Sequence, residues 1–196
     1  MTKRPSSFSL GSLSPTLAKE SCTEPDFTSN DEMSDITLIV EGKKLFTNRA
    51  FLIGMSPVFE RMFCSDFKEK DLSELPLPGK KFDDVHELLK VVHPRILKDL
   101  TGEICLKIFP LAEEYQMYRL KKRCEALLSE TLKGEKVGTD ICLQILNLSE
   151  KYGLLNLWKS ALKSCSRQIY FHMQYSEHFK NLSEKTAIVL EVFMKK

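Results

Sequence analysis

Adjacent carboxylates are the first residues of this chain whose types could support acid and base chemistry. Asp83 precedes Asp84, and Glu113 precedes Glu114, in two stretches with helical periodicity. Neighbouring residues on a helix point to different sides, so neither pair can share a proton as a matched acid and base. Solvated helix faces explain both pairs better than a catalytic site does.

Cysteine and histidine could provide a nucleophile or metal ligands. The six cysteines are scattered and form no Cys-x-x-Cys pair, and none of the four histidines falls at metal-ligand spacing with them. Phosphate-binding glycine loops, Gly-x-Ser-x-Gly and His-Glu-x-x-His are not found either. We therefore predict no catalytic residues, no metal, no cofactor and no enzymatic activity. Free thiols are typical of a reducing compartment, which favours the cytoplasm or the nucleus.

Composition excludes two further classes of partner. Hydrophobic residues make up 42% of the 196 residues, which is enough for a buried core. No run reaches the roughly 18 apolar residues of a membrane-spanning helix, so no membrane contact is expected. The net charge of +2 gives no strong attraction to nucleic acid. Lys121-Lys122-Arg123 is the notable basic triplet, and we predict that it forms a solvated helix face.

The segment from residue 34 to residue 63 combines two strands with two short helices. Alternating apolar residues predict a strand over 36–40, and Gly42 supplies a turn into a second strand. From Asn48 onward the apolar spacing becomes helical. Ser56-Pro57 predicts the start of the next helix, with serine as the cap and proline in the first turn.

This order of elements resembles the opening of a BTB domain, also called a POZ domain. The matching residues are Ser34-Asp35, Gly42, Ala50-Phe51-Leu52 and Ser56-Pro57-Val58-Phe59. A short strand near Glu74 and a helix from Phe82 continue the order of that family. The resemblance implies an α+β fold, predominantly helical, in which helical hairpins cover a small sheet and a C-terminal helical extension follows.

Two segments of the second half repeat at an offset of 37 residues. Residues 103–115 align with residues 140–152, and Leu120 aligns with Leu157. Each copy predicts a helical hairpin with a tyrosine at the end of its first helix. Two copies are too few for a free-standing solenoid. We expect the first hairpin to close the BTB domain, and the second to extend it like a three-box or the start of a BACK region.

The chain is therefore predicted to have three parts. Residues 1–32 are rich in Ser, Thr and Pro and hold too few bulky apolar residues to offset ordering entropy, which predicts a flexible tail. Residues 33–132 form the BTB/POZ domain, and residues 133–196 form the three-box/BACK-like extension. We expect neither a MATH domain nor a Kelch propeller within these limits, so the substrate-binding part stays unidentified.

The resemblance also implies a partner. BTB domains that act as cullin-3 adaptors carry an apolar residue, any residue and a glutamate in the loop after the second short helix. Phe67-Lys68-Glu69 occupies that place, and Tyr115 is expected to contribute to the same contact. An exposed aromatic ring can anchor in a partner pocket, and glutamate can accept a charge-assisted hydrogen bond. The alternative is that Phe67 packs on its own domain.

A dimer interface is implied around the first short helix, at Asn48, Arg49, Leu52 and Met55. Apolar residues span a full turn from Phe51 to Met55, so at least one is expected to face outward or meet a partner. We expect a homodimer or a BTB heterodimer. Many family members have His-Lys where this chain has Asn48-Arg49, so we expect no role for an ionisable histidine there.

These inferences lead to a functional prediction with one alternative. The chain is predicted to be a non-catalytic protein–protein interaction adaptor that links an unknown substrate protein to a cullin-3 ubiquitin ligase. The alternative is a self-association or scaffold module, transcriptional or regulatory, that makes no cullin contact. A pull-down with cullin-3 separates the two.

Overall fold

The computed structural model describes residues 26–30, 32–64, 72–96, 98–134, 137–168 and 173–194. Its strands are β1 (Ile36–Val40), β2 (Lys43–Thr47) and β3 (Glu74–Pro76). Its helices are α1 (Arg49–Met55), α2 (Pro57–Cys64), α3 (Phe82–Val92), α4 (Gly102–Glu114), α5 (Tyr118–Thr131), α6 (Thr139–Lys151), α7 (Leu155–Cys165), α8 (Glu177–Lys180) and α9 (Glu184–Met194). The predicted α+β fold with predominant helix is confirmed.

A three-stranded sheet in the order β2-β1-β3 forms the N-terminal part. β1 pairs antiparallel with β2, and it pairs parallel with β3 through Leu38 and Leu75. Glu41 and Gly42 both have positive φ, of 50° and 74°, in the two-residue turn between β1 and β2. Such a turn matches the twist of the strands, which explains why the predicted glycine lies there.

Caps fix the two short helices after the sheet. The Asn48 side chain accepts a hydrogen bond from the backbone N–H of Phe51 at 2.7 Å and begins α1. The Ser56 hydroxyl accepts from the N–H groups of Val58 and Phe59 at 3.2 Å and begins α2. That hydroxyl also donates to the carbonyl of Tyr115 at 2.6 Å, so the start of α2 is tied to the end of α4.

The predicted repeat is seen in the helix boundaries. α4 and α6 begin and end 37 residues apart, and so do the starts of α5 and α7. Both first helices end in the same motif, in which Gln116 and Gly153 adopt positive φ of 54° and 66°. The next N–H donates back to the carbonyl of Ala112 in one copy and of Ser149 in the other, at 2.8 Å. This bond pattern ends a helix and reverses the chain.

One continuous core joins the sheet to both hairpins. α4 packs against α6, α5 against α7, α8 against α6 and α9 against α7. The ring of Phe109 in α4 lies 5.2 Å from the ring of Tyr152 at the end of α6. None of the described helices has the length and apolar character needed to cross a bilayer.

The predicted flexible tail, residues 1–32, includes residues that are packed in the domain. Phe27 is only 5% exposed, and its carbonyl accepts a hydrogen bond from the Phe46 N–H at 2.7 Å. Its ring makes edge contacts with His86 and His93 at 6.4 and 5.4 Å between centroids. Residues around Phe27 therefore belong to the packed domain, because a buried aromatic ring compensates for the ordering of this short segment. The prediction for residues 1–25 concerns positions outside the described ones.

Candidate protein-interaction surface

The loop between α2 and β3 carries the predicted cullin-binding triplet. Residues 65–71 lie outside the described part of the chain, so the roles of Phe67, Lys68 and Glu69 stay predictions. The described residues on either side are Cys64, which ends α2 and is exposed, and Leu72, which is also exposed. The loop therefore leaves and re-enters the fold at its surface.

Arg49 holds one end of this loop. Its Nη2 donates a hydrogen bond to the carbonyl of Leu72, and its guanidinium lies 5.5 Å from the ring centroid of Phe63 in α2. Its backbone N–H donates to Oδ1 of Asp35 at 2.7 Å. Arginine suits this place because its planar group can donate in several directions while it stacks on an aromatic ring. The described contacts of Arg49 thus lie within the chain, at the base of the loop.

Leu52 cannot serve as the predicted interface residue. Its side chain is 0% exposed and belongs to the core. The helical period turns Leu52 inward and leaves Ala50 and Gly54 exposed, with Ile53 half-buried. Met55 is half-buried, and Asn48 is occupied as the cap of α1. The expectation that one residue of this turn faces outward fits Ile53 better than Leu52.

Tyr115 is also internal. Its side chain is 4% exposed and stacks on Phe59 of α2 with ring centroids 4.6 Å apart and an angle of 14° between the planes. Burial, with a smaller contribution from the nearby Glu114 carboxylate, raises the pKa of Tyr115 above its usual value. A partner could not reach this ring. Its structural effect is to fix α2, and so the start of the loop, against the end of α4.

A groove of about 500 Å³ lies where the end of α1 and the start of α2 meet the end of α3 and the start of α5. Its lining includes Ile53 and Met55 from α1, Glu60 from α2, and Tyr118 and Arg123 from α5. Apolar walls with charged residues among them are typical of protein-binding surfaces. The groove faces the turn at Gln116 that separates α4 from α5.

Tyr118 is a surface residue that the sequence analysis missed. It is 67% exposed and begins α5 beside the groove. The 37-residue repeat contained a signal for it, since its counterpart Leu155 begins α7 and is 60% exposed. Large side chains at the first position of both second helices indicate that this corner of the hairpin faces solvent.

The thiols offer no accessible nucleophile in the helical hairpins. Cys105 contacts Cys124, Cys142 contacts Cys165, and all four side chains are fully buried. A hydrogen bond from Cys165 lowers the pKa of Cys142 to about 7 against the opposing effect of burial. A thiolate there could not meet a substrate, since nothing opens the core to solvent. No cluster of three metal-ligating side chains is found among the residues that the structure describes.

Comparisons with known proteins agree with this geometry. Residues 26–132 match the family model described as BTB/POZ domain, which covers more than half of the chain. The match begins beside Phe27, the first buried residue of the described part of the chain.

The chain is also similar to individual proteins, over part of their length. BTB and MATH domain-containing protein 38 of Caenorhabditis elegans is 32% identical over 165 residues, which cover 82% of this chain and 40% of that protein. Kelch-like protein 38 of Danio rerio is 28% identical over 102 residues, covering 52% of this chain and 17% of that protein. Kelch-like protein 6 of Homo sapiens is 27% identical over 103 residues, covering 53% and 16%. The chain thus spans less than half the length of these relatives.

Proposed function

Because this chain belongs to the BTB/POZ family, we propose that it is a non-catalytic adaptor that brings a substrate protein to a cullin-3 ubiquitin ligase. The observation that carries the proposal is the hydrogen bond from Arg49 to the Leu72 carbonyl. It fixes Leu72, the first described residue after the segment with Phe67-Lys68-Glu69, the triplet that cullin-3 adaptors of this family carry. Family membership and the Kelch-like relatives support an interaction role in general.

The hydrogen bond from Arg49 to Leu72 would favour binding because it fixes Leu72 before a partner binds. A loop fixed at its base loses less conformational entropy on binding, so more of the contact energy remains for affinity. Cys64 is the last residue of α2, Leu72 is held by Arg49, and the Phe59 ring of α2 stacks on Tyr115 at the end of α4. The described residues on both sides of the triplet, Cys64 and Leu72, therefore have fixed positions in the fold.

In the same proposal, the groove is a second contact area for cullin-3. Tyr118 is the exposed aromatic at its edge, and aromatic residues dominate the energetic centre of protein interfaces. Glu60 and Arg123 provide charges of both signs among its apolar residues. We assign to this groove the contact that the sequence analysis gave to Tyr115, because Tyr118 is accessible and Tyr115 is not.

Calorimetry with the purified cullin-3 N-terminal region tests the proposal. Phe67→Ala and Glu69→Ala should each weaken binding, and loss of a central aromatic anchor costs on the order of 2 kcal/mol, roughly thirtyfold in affinity. Tyr175→Ala is the matched control, since Tyr175 is an exposed aromatic remote from the loop in sequence. Unchanged affinity in both loop variants would contradict the adaptor function and leave the scaffold alternative.

Self-association is part of the same proposal. Ala50 and Gly54 are exposed on α1, with the half-buried Ile53 between them. A flat face of small residues lets a second helix approach closely, which supports a homodimer or a BTB heterodimer through α1. The described cysteines are all free, which supports a location in the cytoplasm or the nucleus.

A further inference from the structure

Three basic residues follow one another along α7 and the turn after it. Lys159, Lys163 and Arg167 recur every four residues in sequence, and all three side chains are exposed. Lys159 and Lys163 lie about 6 Å apart along the helix axis, and Arg167 lies in the turn that follows the end of α7 at Cys165. We call these three residues the basic stripe. The segment 155–168 contains no acidic residue that could neutralise it.

Comparison with the first hairpin shows how this stripe arises. Lys122 of α5 is the counterpart of Lys159, and its Nζ lies 3.1 Å from Oε2 of Glu125. The counterpart of Glu125 on α7 is Leu162, which is buried. Lys159 has therefore lost the carboxylate that pairs with its equivalent in the preceding repeat.

At a second pair of corresponding positions, the side chain is acidic in the first hairpin and basic in the second. Glu130 near the end of α5 corresponds to Arg167. Within the described residues, no salt bridge involves Lys159, Lys163 or Arg167, in contrast to the paired Lys121 and Lys122 of α5. Positive charge is thus concentrated on α7 although the chain as a whole has a net charge of only +2.

The neighbouring helix enlarges this surface. α5 packs beside α7, and Arg119 and Arg123 of α5 are exposed. The repeat puts Lys122 and Lys159 at corresponding positions of two adjacent helices, whose axes are about 8–10 Å apart. Arg119 and Arg123 therefore add positive charge at the start of α5, beside the pair of Lys122 and Glu125.

We propose that this basic surface docks an acidic segment of a partner protein. Carboxylates on one side of a helix also repeat about every 6 Å, which matches the spacing of Lys159 and Lys163. Bases of a nucleic acid stack on exposed aromatic rings. The aromatic ring of α7, Trp158, is half-buried, with its Nε1 3.4 Å from Oγ1 of Thr186. Tyr118 at the start of α5 is exposed, so binding of an oligothymidylate is compared with that of an acidic peptide below. Lys159, Lys163 and Arg167 lie neither in the loop after α2 nor in the lining of the groove proposed for cullin-3, so replacing them tests this proposal without the other.

A fluorescently labelled octaglutamate peptide, titrated with the full chain by anisotropy, tests this proposal. Replacing Lys159, Lys163 and Arg167 together by alanine should weaken binding about tenfold, since three exposed charges that pair with the peptide carboxylates are removed. Binding should also weaken as salt is raised from about 50 to 200 mM, because added ions screen exposed charges. Circular dichroism checks that the variant keeps its helices.

The matched control removes the same number of charges elsewhere. Lys81, Lys107 and Lys180 are exposed, and their joint replacement by alanine changes the net charge equally. Unchanged peptide binding in this control supports a local site, whereas an equal loss in both triple variants overturns it in favour of bulk charge. Tighter binding of an oligothymidylate than of octaglutamate overturns the assignment to an acidic protein. Glu69→Ala should leave peptide binding unchanged, which separates this result from the cullin proposal.

Discussion

Glu150 of α6 accepts a hydrogen bond from the Thr186 hydroxyl of α9, with 2.6 Å between Oε1 and Oγ1. The same carboxylate accepts from the backbone N–H of Ser183 at 3.2 Å and from the Ser183 hydroxyl. Trp158 of α7 lies within 3.4 Å of the Thr186 hydroxyl, so three helices meet at one threonine. Glu150 therefore caps the start of α9 from another helix and fastens the C-terminal helix to the second hairpin.

The first prediction concerns how much the hydrogen bonds of Glu150 stabilise the fold and how this contribution depends on pH. Partial burial by itself raises the pKa of Glu150, but the hydrogen bonds from Ser183 and Thr186 outweigh it and hold the pKa below its usual value. A carboxyl with a lowered folded-state pKa stabilises the fold fully above its unfolded-state pKa, near 4.3, and this contribution is lost as pH falls through the folded-state value.

Glu150→Gln should therefore lower the free energy of unfolding at neutral pH by about 1–2 kcal/mol, because the buried Thr186 hydroxyl and the exposed Ser183 hydroxyl lose a charged acceptor. Urea denaturation at several pH values measures this. The difference from the unmodified chain should be constant above about pH 5 and shrink below pH 4. Glu130→Gln on exposed α5 is the control. A difference that persists unchanged at low pH would show that the charge of Glu150 is unimportant.

A second prediction comes from the two turns that end α4 and α6. Gly153 adopts positive φ with nothing within 4 Å of an added Cβ, so Gly153→Ala meets only backbone strain and should cost about 1 kcal/mol. Gln116 adopts the same conformation without being glycine. Gln116→Gly should gain about 0.5 kcal/mol, reduced by loss of its 3.3 Å bond to Arg61. Thermal unfolding should show a lower melting temperature for Gly153→Ala and a higher one for Gln116→Gly. A shift of both melting temperatures in the same direction would refute the strain argument.

Local patterns predicted the framework better than they predicted the surface. The hairpin at Gly42, the cap Ser56 and the 37-residue repeat all follow from spacing that short stretches of sequence reveal. Leu52 and Tyr115 were assigned to interfaces because their positions resemble family contacts. Their burial depends on which residues α4 brings against α2, and only the folded chain supplies that information.

Phe27 shows the same limitation at the other end of the domain. Its neighbours in sequence are polar, so composition alone favours a tail. The Phe27 ring packs against His86 of α3 and against His93, which follows α3, about 60 residues away in the chain. Long-range pairing of this kind leaves no periodic signal in the segment itself.

A third prediction concerns truncation after Leu132. Such a chain keeps α4 and α5 but loses their packing against α6 and α7, including the contact of Tyr152 with Phe109. Phe109 is fully buried in the intact chain, so truncation should expose apolar surface, lower the melting temperature and increase binding of a hydrophobic dye. Calorimetry and dye fluorescence measure both effects. A truncated domain as stable and as soluble as the full chain would show that residues 133–196 form an independent unit.

The last prediction separates core from interface on α1. Leu52→Ala removes a fully buried side chain and should destabilise the fold by about 2–5 kcal/mol, whatever the oligomeric state.

Gly54→Glu should instead leave the fold intact, because nothing lies within 4 Å of a Cβ at this exposed position. It introduces a charged side chain where a second α1 would have to approach, and glutamate favours helix more than glycine does. Light scattering should therefore find a dimer for the unmodified chain and a folded monomer for Gly54→Glu, while Glu130→Gln keeps the dimer. A dimer that survives Gly54→Glu would exclude α1 as its interface, and a monomeric unmodified chain would exclude self-association at the concentration used.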